Sequence, residues 1–205
     1  MIGIVHFGVG NIRSVANAVE EVGFDCKILS NPEELADVSH LILPGVGNFA
    51  AAAEKLTKFA WREALQVFRK AQKPIFGTCL GMQLMLEKGS EGRVSQGLGW
   101  LSGEVVPLQK SKECRVPHVG WNNVSFLRKH PILTGIPAEK DFYFNHSYKV
   151  QVTVREAVVG TVEYGQTVIA MLGWKNIFAC QFHPEKSQVH GLKIMENFCR
   201  WDGKC

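Results

Sequence analysis

A chain of 205 residues suits one globular domain and is short for two of ordinary size. Hydrophobic residues at 46% and charged residues at 20% exclude a disordered, collagenous or fibrous protein. The formal charge of +4 comes from basic residues scattered in ones and twos, without the Lys/Arg block of a nucleic-acid or membrane-surface binder. The cysteines Cys26, Cys79, Cys114, Cys180, Cys199 and Cys205 lack the close spacing of zinc knuckles and redox pairs, so no metal site is expected. Several lie in apolar runs, as reduced thiols of a cytosolic protein do. The chain opens on an apolar run with no basic lead-in, and no stretch nears the roughly 20 apolar residues of a membrane span, so it is expected to be neither exported nor inserted.

The first half alternates short apolar runs with amphipathic stretches. Residues 2–7 read as a buried strand and 11–22 as a helix, with Ile12, Val15, Ala16, Val19 and Val22 on one face. Extended runs follow at 24–29 and 41–43, then a helical pattern over 49–72, a strand at 74–77 and a helix at 80–87. This rhythm predicts an α/β fold with a parallel sheet covered by helices on both faces. Beyond residue 103 the pattern turns β-rich, with runs at 104–108, 141–145, 149–154, 158–164, 168–172 and 177–182 that read as antiparallel. A last helix covers 187–201, and the long segments 88–99 and 109–118 read as loops suited to a site rim or partner contact.

The sharpest local signal is Gly77-Thr78-Cys79-Leu80-Gly81, a Gly-x-Cys-x-Gly between a strand and a helix, the form of a nucleophile elbow. Flanking glycines permit the crowded turn, and a helix N-terminus favours a thiolate and offers N–H groups to an oxyanion. Composition alone gives about 0.06 chance matches in a chain of this length, so the strand-helix context carries the reading. A thiolate nucleophile needs a base that can also protonate a leaving group. His183 ends an apolar run, and Glu185 two residues on can hold its tautomer, giving Cys79, His183 and Glu185 as a candidate triad. The glycines of residues 8–13 and 45–50 could cradle a phosphate or dinucleotide, form a second oxyanion donor beside Cys79, or simply make tight turns.

Three segments then converge. Pro44-Gly45-Val46-Gly47, Cys79-Leu80-Gly81-Met82-Gln83 and Gln181-Phe182-His183-Pro184-Glu185-Lys186 resemble, in order, the three signatures of class I (triad) glutamine amidotransferases. Residues 8–11, Pro117-His118-Val119-Gly120-Trp121-Asn122 and His146-Ser147-Tyr148 more narrowly resemble the glutaminase subunits of imidazole glycerol phosphate synthases. The resemblance spans nearly the whole chain and implies a single domain over residues 1–205, with a flavodoxin-like fold: a central, mostly parallel sheet flanked by helices, plus a smaller antiparallel sheet. It implies that Cys79 attacks the side-chain amide of glutamine, with His183 as base and acid and Glu185 orienting it. The oxyanion donors would be the N–H groups of Leu80 and Val46. Gly47, Gln83, Glu91, Ser147 and Tyr148 would hold the substrate.

The same resemblance implies no metal or nucleotide cofactor and a heterodimeric (β/α)8-barrel cyclase partner, met through Asn11, Trp121 and Lys186. That partner would use the ammonia to make imidazole glycerol phosphate and aminoimidazole carboxamide ribotide in histidine biosynthesis. His6-Phe7, Thr78 and Asn145 depart from the family's usual residues. None removes a catalytic group, but they leave a different synthase open as acceptor, for example a sugar-modifying one. A non-catalytic binding subunit and a stand-alone cysteine hydrolase are the further alternatives.

Overall fold

The computed structural model describes every residue except Val9, Glu113 and Cys205; one residue of the 8–11 segment and one of the six cysteines therefore lie outside the described residues. The chain runs β1 (Ile2–Val5), α1 (Ile12–Glu21), β2 (Cys26–Leu29), β3 (His40–Leu43), α2 (Phe49–Lys58), α3 (Trp61–Lys70), β4 (Ile75–Thr78) and α4 (Leu80–Leu84). It continues through β5 (Leu86–Gly89), β6 (Ser95–Gln96), β7 (Leu101–Pro107), β8 (His118–Phe126), β9 (Lys140–His146), β10 (Tyr148–Val152), β11 (Val158–Glu163), β12 (Thr167–Trp174), β13 (Ile177–Cys180) and α5 (Gln188–Arg200).

Among the described residues, nine strands form one sheet in the order β2-β1-β3-β4-β13-β12-β11-β8-β9, and β10-β7-β5-β6 form a second. From β2 to β13 the pairings are parallel, and from β13 to β9 antiparallel. The α/β class read from the sequence stands, but its strands are apportioned differently. Most of the β-rich second half extends the central sheet, which is as much antiparallel as parallel, and the smaller sheet contains one parallel pairing, β5 with β7.

Alternation along the parallel strands divides the core in two. Ile2, Ile4, Ile42, Phe76 and Phe178 face the side covered by α1 and α5. Val5, Leu41, Leu43, Ile75, Ile177 and Ala179 face α2, α3, α4 and the second sheet. With both faces covered, these strands are apolar at nearly every position, as buried parallel strands require.

Three boundaries depart from the sequence reading. The helical stretch 49–72 is two helices, broken where Ala60 takes a left-handed φ of 56°; the break leaves Phe59 exposed and turns Trp61 fully inward. The helix expected over 80–87 stops at Leu84, because Leu86–Gly89 pairs with β6 and β7. β8 had no counterpart in the sequence reading: it carries polar and exposed residues at most positions and gains its place by pairing between β11 and β9.

Candidate active site

The segments after β1, β3, β4 and β13 all leave the carboxyl edge of the parallel strands, where ligands of open α/β sheets bind. Cys79 sits between β4 and α4 at φ 52° and ψ −111°, a conformation costing a non-glycine residue about 1–3 kcal/mol. Its neighbours make the turn possible. A Cβ on Gly81 would overlap the Leu43 carbonyl oxygen, and one on Gly77 would lie 2.6 Å from the Met85 methyl. The Cys79 N–H is tied to the Cys180 carbonyl at 2.8 Å, which locks the elbow onto β13. Because α4 has only five residues, the macrodipole invoked from the sequence is short, and stabilisation of a thiolate falls to nearby side chains.

Those side chains come mainly from the segment after β13. The His183 imidazole lies beside Cys79, and its Nδ1 meets Glu185 Oε1 at 2.9 Å, with the His183 and Glu185 side chains almost wholly buried. Burial alone would lower the imidazole's pKa, but the Cys79 and Glu185 hydrogen bonds and charges outweigh it and raise the pKa to about 10. His183 is therefore held in its imidazolium form near neutral pH. The Ser187 hydroxyl donates to the His183 carbonyl at 2.6 Å, and the His183 N–H donates to the Tyr143 carbonyl at 2.9 Å. Both bonds fix the backbone that carries the ring.

Cys79 opens into a cavity of about 420 Å³, room for an amino-acid substrate. Of the residues assigned from the sequence, Val46, Gly47, Leu80, Gln83, Glu91, Ser147 and Tyr148 all line it. Glu91 Oε2 accepts from the Phe49 N–H at 2.6 Å, which anchors the loop expected over 88–99. The Leu80 N–H, an expected oxyanion donor, is engaged by the Gly45 carbonyl at 3.3 Å.

Asn48, Pro117, Asn145 and His146 also line the cavity, and the sequence reading gave none of them a place there. Behind the wall runs a chain of polar side chains whose direction is fixed by its end. The Tyr148 carbonyl can only accept, so His146 Nδ1, 2.8 Å away, donates to it. The Nε2 of a neutral His146 then accepts from His118 Nδ1 at 3.0 Å, and His118 Nε2 accepts from Asn122 Nδ2 at 3.1 Å. Burial keeps both rings neutral, lowering the pKa of His118 to about 4 and that of His146 to about 3.

The expected partner positions are at the surface. Asn11 and Lys186 are exposed, and Trp121 is 46% exposed beside Val119 at 54%. Trp121 meets Tyr143 edge-on at 6.1 Å, and the Lys186 ammonium lies 5.7 Å from the same ring. Trp121 and Lys186 thus share one patch centred on Tyr143.

A thiol on a strained strand-helix turn, beside a buried imidazole-carboxylate pair, is the arrangement that cysteine-dependent hydrolases and transferases use. The model of the family glutamine amidotransferase class-I matches residues 4–201, and the chain belongs to that family. Within it, the chain is 45% identical over 201 residues to imidazole glycerol phosphate synthase subunit HisH 1 of Campylobacter jejuni, covering 98% of this chain and 100% of the relative. It is 43% identical to subunit HisH of Desulfitobacterium hafniense, over 98% of this chain and 94% of that one. Among solved structures, PurLQS from Thermotoga maritima shares the fold, with a TM-score of 0.71 at 20% identity and 97% of each chain covered.

Proposed function

We propose that this chain acts as a single glutamine amidotransferase domain, the glutaminase subunit of an imidazole glycerol phosphate synthase. One observation carries the reading: the 45% identity to a HisH subunit runs over 98% of the chain, and it is supported by Cys79 lining a substrate-sized cavity with the buried His183 behind it.

The Cys79 thiolate attacks the side-chain carbonyl carbon of glutamine, and His183 gives its proton to the departing nitrogen, so ammonia leaves and a glutamyl thioester remains. Water, deprotonated by His183, then adds to the thioester. The carbon-sulfur bond breaks, the sulfur leaves as thiolate, and glutamate is released. Glu185 holds Nδ1 and balances the imidazolium in a site that water reaches poorly. Glu91, Gln83, Gly47 and the backbone of Ser147 and Tyr148 hold the substrate.

Each tetrahedral intermediate carries an oxyanion that needs donors. Turning over the peptide between Gly45 and Val46 would remove the carbonyl that occupies the Leu80 N–H and bring the Val46 N–H into its place. One peptide rotation thus converts an acceptor into a donor and completes the pair. The turn as it stands is a resting state, and activation belongs to the assembled synthase.

The ammonia passes to a (β/α)8-barrel cyclase docked on the surface of Asn11, Trp121 and Lys186. Trp121 contacts Tyr143, whose carbonyl accepts from the His183 N–H, so partner contact is felt one hydrogen bond from the catalytic ring. We place the complex in the cytoplasm, where a nucleophilic thiol is kept reduced. The test is rescue of a histidine auxotroph by this chain with its cognate barrel. Rescue that Cys79→Ala abolishes is the expected result. Glutaminase activity with the barrel but no rescue would point to another acceptor, and rapid glutamine turnover by the isolated chain would indicate a stand-alone hydrolase.

A further inference from the structure

Gln181 has no part in the mechanism just given, yet it is fully buried against the nucleophile. Its amide nitrogen lies 3.7 Å from Cys79 Sγ, and its oxygen lies 3.1 Å from Gln83 Nε2. Which end faces the sulfur is decided two residues away. The Tyr148 carbonyl, an acceptor only, lies 3.2 Å from the Gln83 side chain, so the Gln83 amide must turn its NH2 group that way. The second hydrogen of that NH2 points at Gln181 and requires an oxygen there. Reversing Gln181 would oppose two NH2 groups across a buried contact, and reversing Gln83 would oppose two carbonyl oxygens. The Gln181 N–H is thereby committed to the sulfur.

We propose that Gln181 is a further catalytic residue of this glutaminase, donating an amide hydrogen bond to the Cys79 sulfur whenever that sulfur carries negative charge. The inference rests on the reading of Cys79 as the nucleophile. Sulfur is anionic at two points of the cycle: in the resting thiolate, and when the carbon-sulfur bond of the thioester breaks and the electron pair returns to it. At both, an N–H donor stabilises the charge. In the thioester the sulfur is neutral and the bond weakens, so Gln181 favours the charged ends of the cycle over its middle. His183 must release the sulfur to carry its proton to ammonia and to activate water, whereas an amide has no proton to give away and holds its place throughout. Gln83 consequently has two duties, one toward the cavity and one in orienting Gln181.

The test follows the alkylation of Cys79 by iodoacetamide against pH, on the full chain with its barrel subunit, read on the Cys79 peptide by mass spectrometry. Gln181→Met removes the donor, and Gln181→Glu keeps the oxygen that Gln83 needs while replacing the donor with an anion. The midpoint of the profile is expected to rise by about one pH unit in the first and further in the second, while the plateau rate at high pH rises about threefold, because a less stabilised thiolate is more nucleophilic. A purely structural loss would not raise the plateau. Unchanged midpoints in both folded variants would overturn the proposal. Should neither variant fold, the wild-type complex still decides. The side-chain amide 15N resonance of Gln181 should move with the same midpoint as Cys79 alkylation, and a resonance that stays fixed across it would equally overturn the assignment. Neither readout depends on glutamine turnover, so glutaminase activity persisting in Cys79→Ala would refute the nucleophile assignment separately.

Discussion

The buried histidines make stability acid-sensitive in a way that can be worked out from their environments. His118, His130 and His146 are each less than a tenth exposed, and burial is the main cause lowering their pKa values to about 4, about 4 and about 3. In the unfolded chain each returns to about 6.5. Below that value the unfolded state binds protons that the folded state refuses, so stability is intact above pH 6.5 and falls as the pH drops toward the folded values. At pH 5 the difference of about 1.5 pH units corresponds to about 2 kcal/mol per ring. Solvent relaxation around His118 and His130 trims the total for all three to about 4 kcal/mol, a large part of the 5–15 kcal/mol typical of a domain. His183 works in the opposite direction: its pKa, raised to about 10, lies above the unfolded value. Its contribution is complete below pH 6.5 and is lost as the pH climbs toward 10. Urea unfolding at about pH 7, 6 and 5 and fixed ionic strength measures the acid limb. His130→Asn, remote from the cavity, should flatten it by about 1–2 kcal/mol. A free energy constant to within about 0.5 kcal/mol from pH 7 to 5 would refute the neutral, desolvated assignment of these rings.

The elbow should trade stability for chemistry. Cys79→Gly and Cys79→Ala should both lower glutamine hydrolysis at least a thousandfold, but the glycine variant should be about 1–2 kcal/mol more stable than the alanine variant, since only glycine tolerates the observed φ without strain; thermal unfolding compares them. Glu185→Gln keeps a hydrogen-bond partner for His183 Nδ1 but removes the charge, and should lower kcat about a hundredfold or more with little change in KM, read by steady-state glutaminase kinetics in the complex. Trp121→Ala should leave unfolding free energy within about 0.5 kcal/mol while weakening association with the barrel by about 2 kcal/mol, roughly thirtyfold, measured by titration calorimetry.

Much of the candidate site's framework was legible because a crowded strand-helix turn imposes local rules. The sharp turn that carries Cys79 at the end of a buried strand needs small residues where the backbone crowds, and Gly77 and Gly81 occupy those positions against Met85 and Leu43. The parallel strands were readable because burial on both faces demands continuous apolar runs. What escaped depends on partners distant in sequence. β8 joins the sheet although Trp121 is half exposed and Asn122 and Asn123 are polar, because β9 and β11 supply its hydrogen bonds. The end of α4 is set by competition from β6 and β7, and the break at Ala60 by the burial of Trp61, with neither glycine nor proline to mark it. Gln181 and the His118–His146 relay are intelligible only as hydrogen-bond networks; the sequence placed all three in family-like segments but gave none of them a task.

The most direct test of the central claim is covalent labelling of the complex with a diazoketone analogue of glutamine, followed by peptide mapping. A single adduct on Cys79, prevented by excess glutamine and accelerated by the barrel subunit, is the expected result. An adduct on Cys26, Cys114, Cys180 or Cys199 with Cys79 unmodified would contradict it.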